Sequence, residues 1–306
     1  MSDSYFIARG RWTTRAGEWV LYAIAWSLRW ITWPLKTQSL TAVAGPLGGA
    51  LLMAIPSVRR RALNNLALVW PDMPAKQRHS IARGAARHFS CLAAEYARLD
   101  KMIRDVPVEA EGLDHLEAAR KAGKGAILVT AHYGNWEAAR LAALRAGCET
   151  GIIYRAFNNR YLDRFTMDLI PCCGEPVLQK GPRGMRQLVA HVARGGFVMV
   201  LVDQRNSGAP FLDFLGHPAE TVTVAADLAR RTGAALIPAR AIRDLDQARF
   251  TVQFERAITG EDTESTMQLV NDRISAWISE NPEQWFWFHR RWRSTIRSRE
   301  KPGSET

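Results

Sequence analysis

A chain of 306 residues, 47% of them hydrophobic, has ample material for a packed core and leaves little room for disorder beyond its two ends. Its formal net charge of +11 calls for an anionic partner: nucleic acid, membrane phospholipid, or an acidic substrate or carrier protein. The 11 tryptophans weigh toward the membrane, where the amphipathic ring settles at headgroup depth, and no nucleic-acid recognition motif accompanies the charge.

Trp12, Trp19, Trp26, Trp30 and Trp33 recur at spacings that keep the indoles along one side of a helix. Arg9, Arg11, Arg15, Arg29 and Lys36 flank or interrupt that face, as in a segment lying on an anionic bilayer. Pro34 ends the helix after about 15 residues, on the order of 22 Å, which is short of a roughly 30 Å hydrocarbon core. The reading is therefore an interfacial anchor. Thr37 to Ile55 carries no charge but contains Gly45-Pro46 and Gly48-Gly49, which are expected to break it into pieces. Two arrangements stay open: a membrane-dipping hairpin with the tryptophan helix, or two helices packed on the core. A cleaved signal peptide is disfavoured, because Ala42-Val-Ala44 lies too far beyond the apolar run.

Arg59-Arg-Arg61 opens a helical region reaching about Arg104, interrupted at Pro71 and Pro74. Beside an apolar anchor this triple reads either as a solvated face or as a contact for lipid phosphate. His88 and Glu95 lie seven apart on the helix Ala75 to Leu99, a spacing that an ordinary amphipathic helix explains as well as a shared functional face. From Val106 strands and helices alternate, predicting an α/β fold with a largely parallel central sheet flanked by helices. Strands are expected at Ala126–Ala131, Thr150–Tyr154, Phe197–Val202, Ala235–Ile242 and Arg249–Ala257. Helices are expected at Asp114–Ala122, Trp136–Arg145, Asn159–Leu169, Gly184–Arg194, Ala219–Thr232 and Ser265–Glu280. The division reads as a membrane anchor over 1–57, a catalytic body over 58–297 and a disordered tail over 298–306.

The chemistry concentrates in Gly125-Ala-Ile-Leu-Val-Thr-Ala-His-Tyr-Gly-Asn-Trp-Glu137. The apolar run suits a strand covered on both faces, Gly134 permits a tight turn and Asn135 is a good N-cap for the next helix. On one continuous helix His132 and Glu137 would lie roughly 140° apart, so they converge only if Tyr133 to Asn135 form a turn. An imidazole held by a carboxylate through one ring nitrogen can act as a general base through the other. The competing reading is a satisfied strand-end histidine and a first-turn glutamate favoured by the helix dipole. Two further buried strands end in Arg155 and in Asp203-Gln204. If the three strands are neighbours, a base, a fixed cation and a polar pair line one crevice, where strand ends of open α/β sheets bind ligands. Walker, GxGxxG, GxSxG and HExxH patterns are missing from the sequence, and Cys172-Cys173 follow a helix and a proline, so direct attack by a bound hydroxyl is favoured over a covalent intermediate.

With these residues in view, the chain resembles the bacterial late acyltransferases of lipid A biosynthesis, within the wider class of His-x4-Asp/Glu glycerolipid acyltransferases. The resemblance rests on Glu111-Gly-Leu-Asp-His115, Thr130-Ala-His-Tyr-Gly-Asn-Trp-Glu137, Tyr154-Arg155, Asp203-Gln204, Phe214-Leu-Gly216 with Thr221, Pro238, and Pro282-Glu-Gln-Trp285 with Trp287 and His289-Arg-Arg291. It implies acyl transfer from an acyl-carrier-protein thioester to a hydroxyl of a lipid A precursor at the cytoplasmic face of the inner membrane. His132 and Glu137 would be the catalytic pair, with Arg155, Asp203, Gln204 and Asn135 binding substrate. The implied partners are acyl carrier protein, a glycolipid acceptor and inner-membrane phospholipid. No metal or other cofactor is expected, since the thioester is already activated. The alternatives are another glycolipid or lysolipid acceptor, or a non-catalytic membrane-bound module that binds acyl chains or carrier protein.

Overall fold

The computed structural model describes residues 15–245 and 249–293. At its centre stands strand β2 (Ala126–Thr130), every residue of which is buried. Ile127 and Val129 enter one apolar cluster while Ala126 and Leu128 enter another on the opposite face. Such two-sided burial is what an unbroken apolar run requires, and each of these larger side chains contributes about 1.5–3 kcal/mol.

The sheet is completed by β1 (Val108–Glu111), β3 (Thr150–Tyr154), β4 (Val177–Gln179), β5 (Phe197–Leu201), β8 (Ala235–Asp244) and β9 (Arg249–Phe254), in the order β1-β9-β8-β2-β5-β3-β4. Neighbours pair in parallel except β8 with β9, so β9 and β1 run opposite to the other five strands. The expected largely parallel sheet is thus present, with a reversed edge pair. The short strands β1 and β4 were not anticipated, because three or four residues are too few to show alternation. A separate hairpin joins β6 (Phe211–Phe214) to β7 (His217–Glu220). This corrects the expected helix from Ala219. The helix there, α10, covers only Val224–Thr232, and the Phe214-Leu-Gly216 turn uses positive φ at Leu215 and Gly216 to bring the two strands together.

Helices cover both faces: α6 (Leu113–Ala122), α7 (Trp136–Arg145), α9 (Pro182–Ala193) and α11 (Thr263–Glu280) join α10 on the sheet, and α8 (Arg160–Met167) stands where a helix is expected after β3. The amino-terminal part comprises α1 (Arg15–Ile31), α2 (Thr37–Ala54), α3 (Pro56–Val69), α4 (Ala75–Tyr96) and α5 (Leu99–Asp105). Of the two arrangements open for this part, packed helices are found. Gly45, Pro46, Gly48 and Gly49 do not break α2, which is continuous. A Cβ on Gly45 would lie 2.6 Å from Cys91 Sγ, on Gly48 2.8 Å from Ser90 Cβ, and on Gly49 2.9 Å from Arg87 N. The small residues therefore serve close approach to α4. Pro46 stands within α2 on its exposed side.

Opposite that contact, α2 exposes a ridge of Val43, Leu47 and Leu51 that continues to Ile55. On α1, Trp19, Val20, Ile24, Trp26, Trp30 and Ile31 are exposed as well. Arg29 does not join this surface: it forms a two-toothed pair with Asp100 at 3.1 and 2.8 Å and donates to Ala97 O. Arg98 and Lys101 collect the carbonyls of Thr32, Trp33 and Leu35 past the end of α1, so its last turn is satisfied from the body. Among the described residues no single helix is long and apolar enough to cross a membrane. Only α2 and α3 together reach that length and apolarity, and they are bent by 92°. Trp12, Arg9, Arg11 and the expected disordered tail lie outside the described residues.

Candidate active site

The sheet order places β5 between β2 and β3, so the three strand ends singled out by the sequence are adjacent. The β2–β5 register pairs Thr130 with Leu201, which brings His132 level with Asp203 on the neighbouring strand. His132 Nδ1 lies 2.8 Å from Asp203 Oδ1, and the His132 amide donates to Oδ2 at 2.9 Å. Trp285 Nε1 donates to the same Oδ2 at 2.8 Å. Asp203 is fully buried and accepts at both oxygens, while His132 keeps 22% of its side chain exposed. The Gln204 amide nitrogen sits 3.1 Å from His132 Nε2. The tautomer consistent with these contacts carries its proton on Nδ1 and accepts from the Gln204 amide at Nε2, on the exposed side of the ring. Burial alone would push the Asp203 carboxyl up, but the charge and hydrogen bond of His132, with His289 nearby, hold it below the usual carboxylate range.

Glu137 is elsewhere. Tyr96 donates its hydroxyl to Glu137 Oε1 at 2.6 Å, and Arg140, one turn later on α7, pairs with Oε2 at 2.5 Å. Arg140 also donates to Thr150 O at 3.0 Å and to Gly174 O. The expected His132–Glu137 contact is therefore corrected: Asp203 orients the imidazole, and Glu137 belongs to a buried ion pair that ties α7 to β3. The physical reason is position. Glu137 is the second residue of α7, with its side chain turned toward Arg140, while Asp203 is directly across the sheet.

The expected turn is present, and it is pinned from three sides. Gly134 has φ +55°, its amide donates to Gln284 O at 2.9 Å, and a Cβ there would fall 1.7 Å from the Ala241 carbonyl oxygen. Asn135 is buried: its Oδ1 caps the Glu137 amide at 3.0 Å and its Nδ2 donates to Glu95 Oε2 at 2.8 Å. Glu95 is in turn clamped by Arg243. Asn135 therefore supports the turn beneath His132, and Asp203, fully buried, holds the imidazole ring.

Arg155, just past β3, is exposed. With β5 between them, it stands two strands from His132, roughly 10 Å at the usual strand spacing. Phe286 N donates to His132 O at 3.0 Å, and Tyr133 bridges Trp285, so the closing segment forms the far wall. Its rings enclose the imidazole: His289 at 4.9 Å and Phe286 at 6.4 Å between centroids, with Trp136 at 5.2 Å from the other side. Burial, reinforced by His132, pushes the His289 ring down to about 3, so it stays neutral. In the sequence Trp285 and His289 stand only as landmarks of the family resemblance; their place beside His132 and Asp203 comes from the tertiary structure. The ligand atoms of His132, Asp203 and His289 lie within 4.8 Å of one another, the spacing of a possible metal group. Since three N–H donors already occupy the two Asp203 oxygens, this donor set fits a hydrogen-bonded base better than a metal centre.

Comparison with known proteins places this geometry in context. A family model described as bacterial lipid A biosynthesis acyltransferase matches residues 6–294. The phosphatidylinositol mannoside acyltransferase of Mycobacterium tuberculosis is 30% identical over 198 residues, which is 63% of this chain and 62% of the mycobacterial one. The match thus spans somewhat less than two thirds of that relative's length. The lipid A biosynthesis acyltransferase of Haemophilus influenzae is 24% identical over 240 residues, covering 75% of this chain and 74% of its own. The lipid A biosynthesis palmitoleoyltransferase of Escherichia coli is 26% identical over 261 residues, covering 79% and 82%.

Proposed function

Because this chain belongs to the bacterial lipid A biosynthesis acyltransferase family, we propose that it moves a fatty acyl group from an acyl-carrier-protein thioester to a hydroxyl of a lipid A precursor at the cytoplasmic face of the inner membrane. The observation that carries this reading is the His132–Asp203 pair at the strand ends, with Nε2 on the exposed side of the ring beside Gln204, which the acceptor hydroxyl would displace. In the reaction, Nε2 takes the proton of the acceptor hydroxyl as its oxygen attacks the thioester carbonyl carbon. Asp203, with its charge held by Trp285, stabilises the imidazolium so formed. The tetrahedral intermediate collapses by breaking the C–S bond, and the imidazolium returns its proton to the departing thiolate. Arg155 is the candidate for holding the developing oxyanion or an acceptor phosphate. The exposed apolar side chains of α1 and the α2 ridge support a site that works on a lipid still in its bilayer.

The test uses purified protein in phospholipid vesicles with labelled acyl carrier protein and a tetra-acylated lipid A precursor, followed by mass spectrometry of the product. Transfer that depends on His132 supports the assignment; transfer left intact in His132→Ala removes it. A second acceptor, a phosphatidylinositol mannoside, belongs in the same assay because the mycobacterial relative named for that substrate is 30% identical.

A further inference from the structure

Two basic runs, more than two hundred residues apart in the chain, meet beside the catalytic pocket. A groove of about 330 Å³ is lined by Ser57, Arg60, Arg61, Asn64, Asn65, Arg290 and Arg293. The first five form one stripe of α3 at helical spacing, while Val58, Ala62 and Leu66 of the same helix are buried in the core. None of the seven lining residues is acidic, and four are arginines. Such an arrangement raises a positive potential in a concave site and favours an anion. Arginine suits phosphate in particular, because its planar fork donates two parallel hydrogen bonds.

The groove shares a wall with the active site. Asn65 Nδ2 donates to Trp287 O and His289 O, both at 2.8 Å, and Arg61 donates to Phe288 O at 3.2 Å. On the other side of that wall the His289 ring contacts His132. At its outer end the groove begins at Ser57, two residues past exposed Ile55, where the apolar α2 ridge stops. Arg291, within the same basic run, takes no part: it is buried and donates to Glu220 O and Thr221 Oγ1.

We propose that this groove binds the phosphate ester of the glycolipid acceptor, so that chains held against the α2 ridge, phosphate in the groove and hydroxyl at His132 are positioned together. The inference rests on the acyl-transfer reading for the acceptor's identity. A small phosphate fits the observations better than a docked carrier protein, since the site is a groove with four arginines among its seven lining residues and begins where the exposed apolar ridge of α2 stops.

Binding is measured first, without turnover, in a His132→Ala background. The probe is a tetra-acylated lipid A precursor, or the same lipid stripped of its phosphates, in neutral phosphatidylcholine vesicles. The phosphorylated probe is expected to bind at least tenfold more tightly, and Arg60→Glu/Arg290→Glu should abolish that difference. Both side chains are exposed; Arg60→Gln/Arg290→Gln provides a milder pair should the reversal misfold. Arg83→Glu, the same charge change as the glutamine pair but on the exposed side of α4, should retain the difference. In the otherwise wild-type enzyme, Arg60→Gln/Arg290→Gln should raise the acceptor KM at least tenfold and leave kcat and the donor KM unchanged. Equal binding of the two probes, an equal loss in Arg83→Glu, or a rise in donor KM alone would each overturn the proposal. Phosphate-dependent binding without any transfer by the wild type would instead remove the acyl-transfer reading and leave the groove in place.

Discussion

Trp285 and His132 approach the same carboxylate oxygen: the indole N–H and the histidine backbone amide reach Asp203 Oδ2 at 2.8 and 2.9 Å. With Oδ1 given to the imidazole, the carboxylate has little freedom to turn. An imidazole of fixed tautomer and direction results from three segments, the ends of β2 and β5 and the aromatic run 285–292.

Asp203→Asn keeps the shape and removes the charge that stabilises the imidazolium. Acyl transfer is expected to fall by about 10²–10⁴-fold, the range associated with positioned acid–base catalysis. Initial rates with a fixed acceptor, alongside a thermal melt showing retained folding, check this. Trp285→Phe should show a smaller loss of about tenfold, since one hydrogen bond to a charged group contributes roughly 1.5–3 kcal/mol at most.

Glu137→Gln has a different signature. It leaves the Arg140 guanidinium buried without its carboxylate, and breaking a buried pair costs about 3–5 kcal/mol. Denaturant titration should report that loss, while the fraction that remains folded transfers acyl groups at a rate within about threefold of wild type, a gap well under 1 kcal/mol. If Glu137→Gln instead abolishes kcat with stability intact, the assignment of Asp203 as the orienting carboxylate is wrong.

Two glycines provide a matched comparison. Gly134 and Gly147 both have positive φ, +55° and +75°, but an added Cβ meets the Ala241 carbonyl at 1.7 Å in the first and nothing within 4 Å in the second. Gly147→Ala should therefore cost only the left-handed penalty, about 1–2 kcal/mol, with activity retained. Gly134→Ala should cost more than that and lower transfer by over a hundredfold, because the turn beneath His132 must move. Unfolding curves and initial rates on both variants decide it.

Acid should weaken the fold through two buried histidines. Desolvation, with Arg243 and Arg87 adding to it, pushes His88 down to about 3, and burial with the His132 charge does the same for His289. Both rings bind a proton more readily in the unfolded chain, so stability rises with pH between about 3 and 6.5 and is lost as pH falls through that window. Each contributes a slope of about 1.4 kcal/mol per pH unit. Asp203, held low, adds a loss in the same direction only below the ordinary carboxylate range. Denaturation at pH 4 to 6.5 should show the combined slope, and His88→Gln should roughly halve it; an unchanged slope removes His88 from the account.

Local signals in the chain were enough for much of this architecture. The apolar run before His132 predicted a strand buried on both faces, Gly134 and Asn135 predicted the turn and cap, and alternation after Val106 predicted the sheet. These are properties of neighbours in sequence, and steric and hydrophobic rules act on neighbours directly. Sequence also singled out Arg155 and Asp203-Gln204 as strand ends, although not which strands stand side by side.

The partner of His132 was decided only in three dimensions. Spacing favoured Glu137, five residues away, but helix geometry turns that carboxylate to Arg140 and Tyr96, and the parallel register of β2 with β5 supplies Asp203 from seventy-one residues away. The same holds for the glycines of α2, which look like breaks in a linear reading and are close-packing sites once α4 lies against them. Sequence determines which side chains are available and what local backbone they favour; pairing across the sheet follows from burying all of them at once, a condition that no short stretch contains.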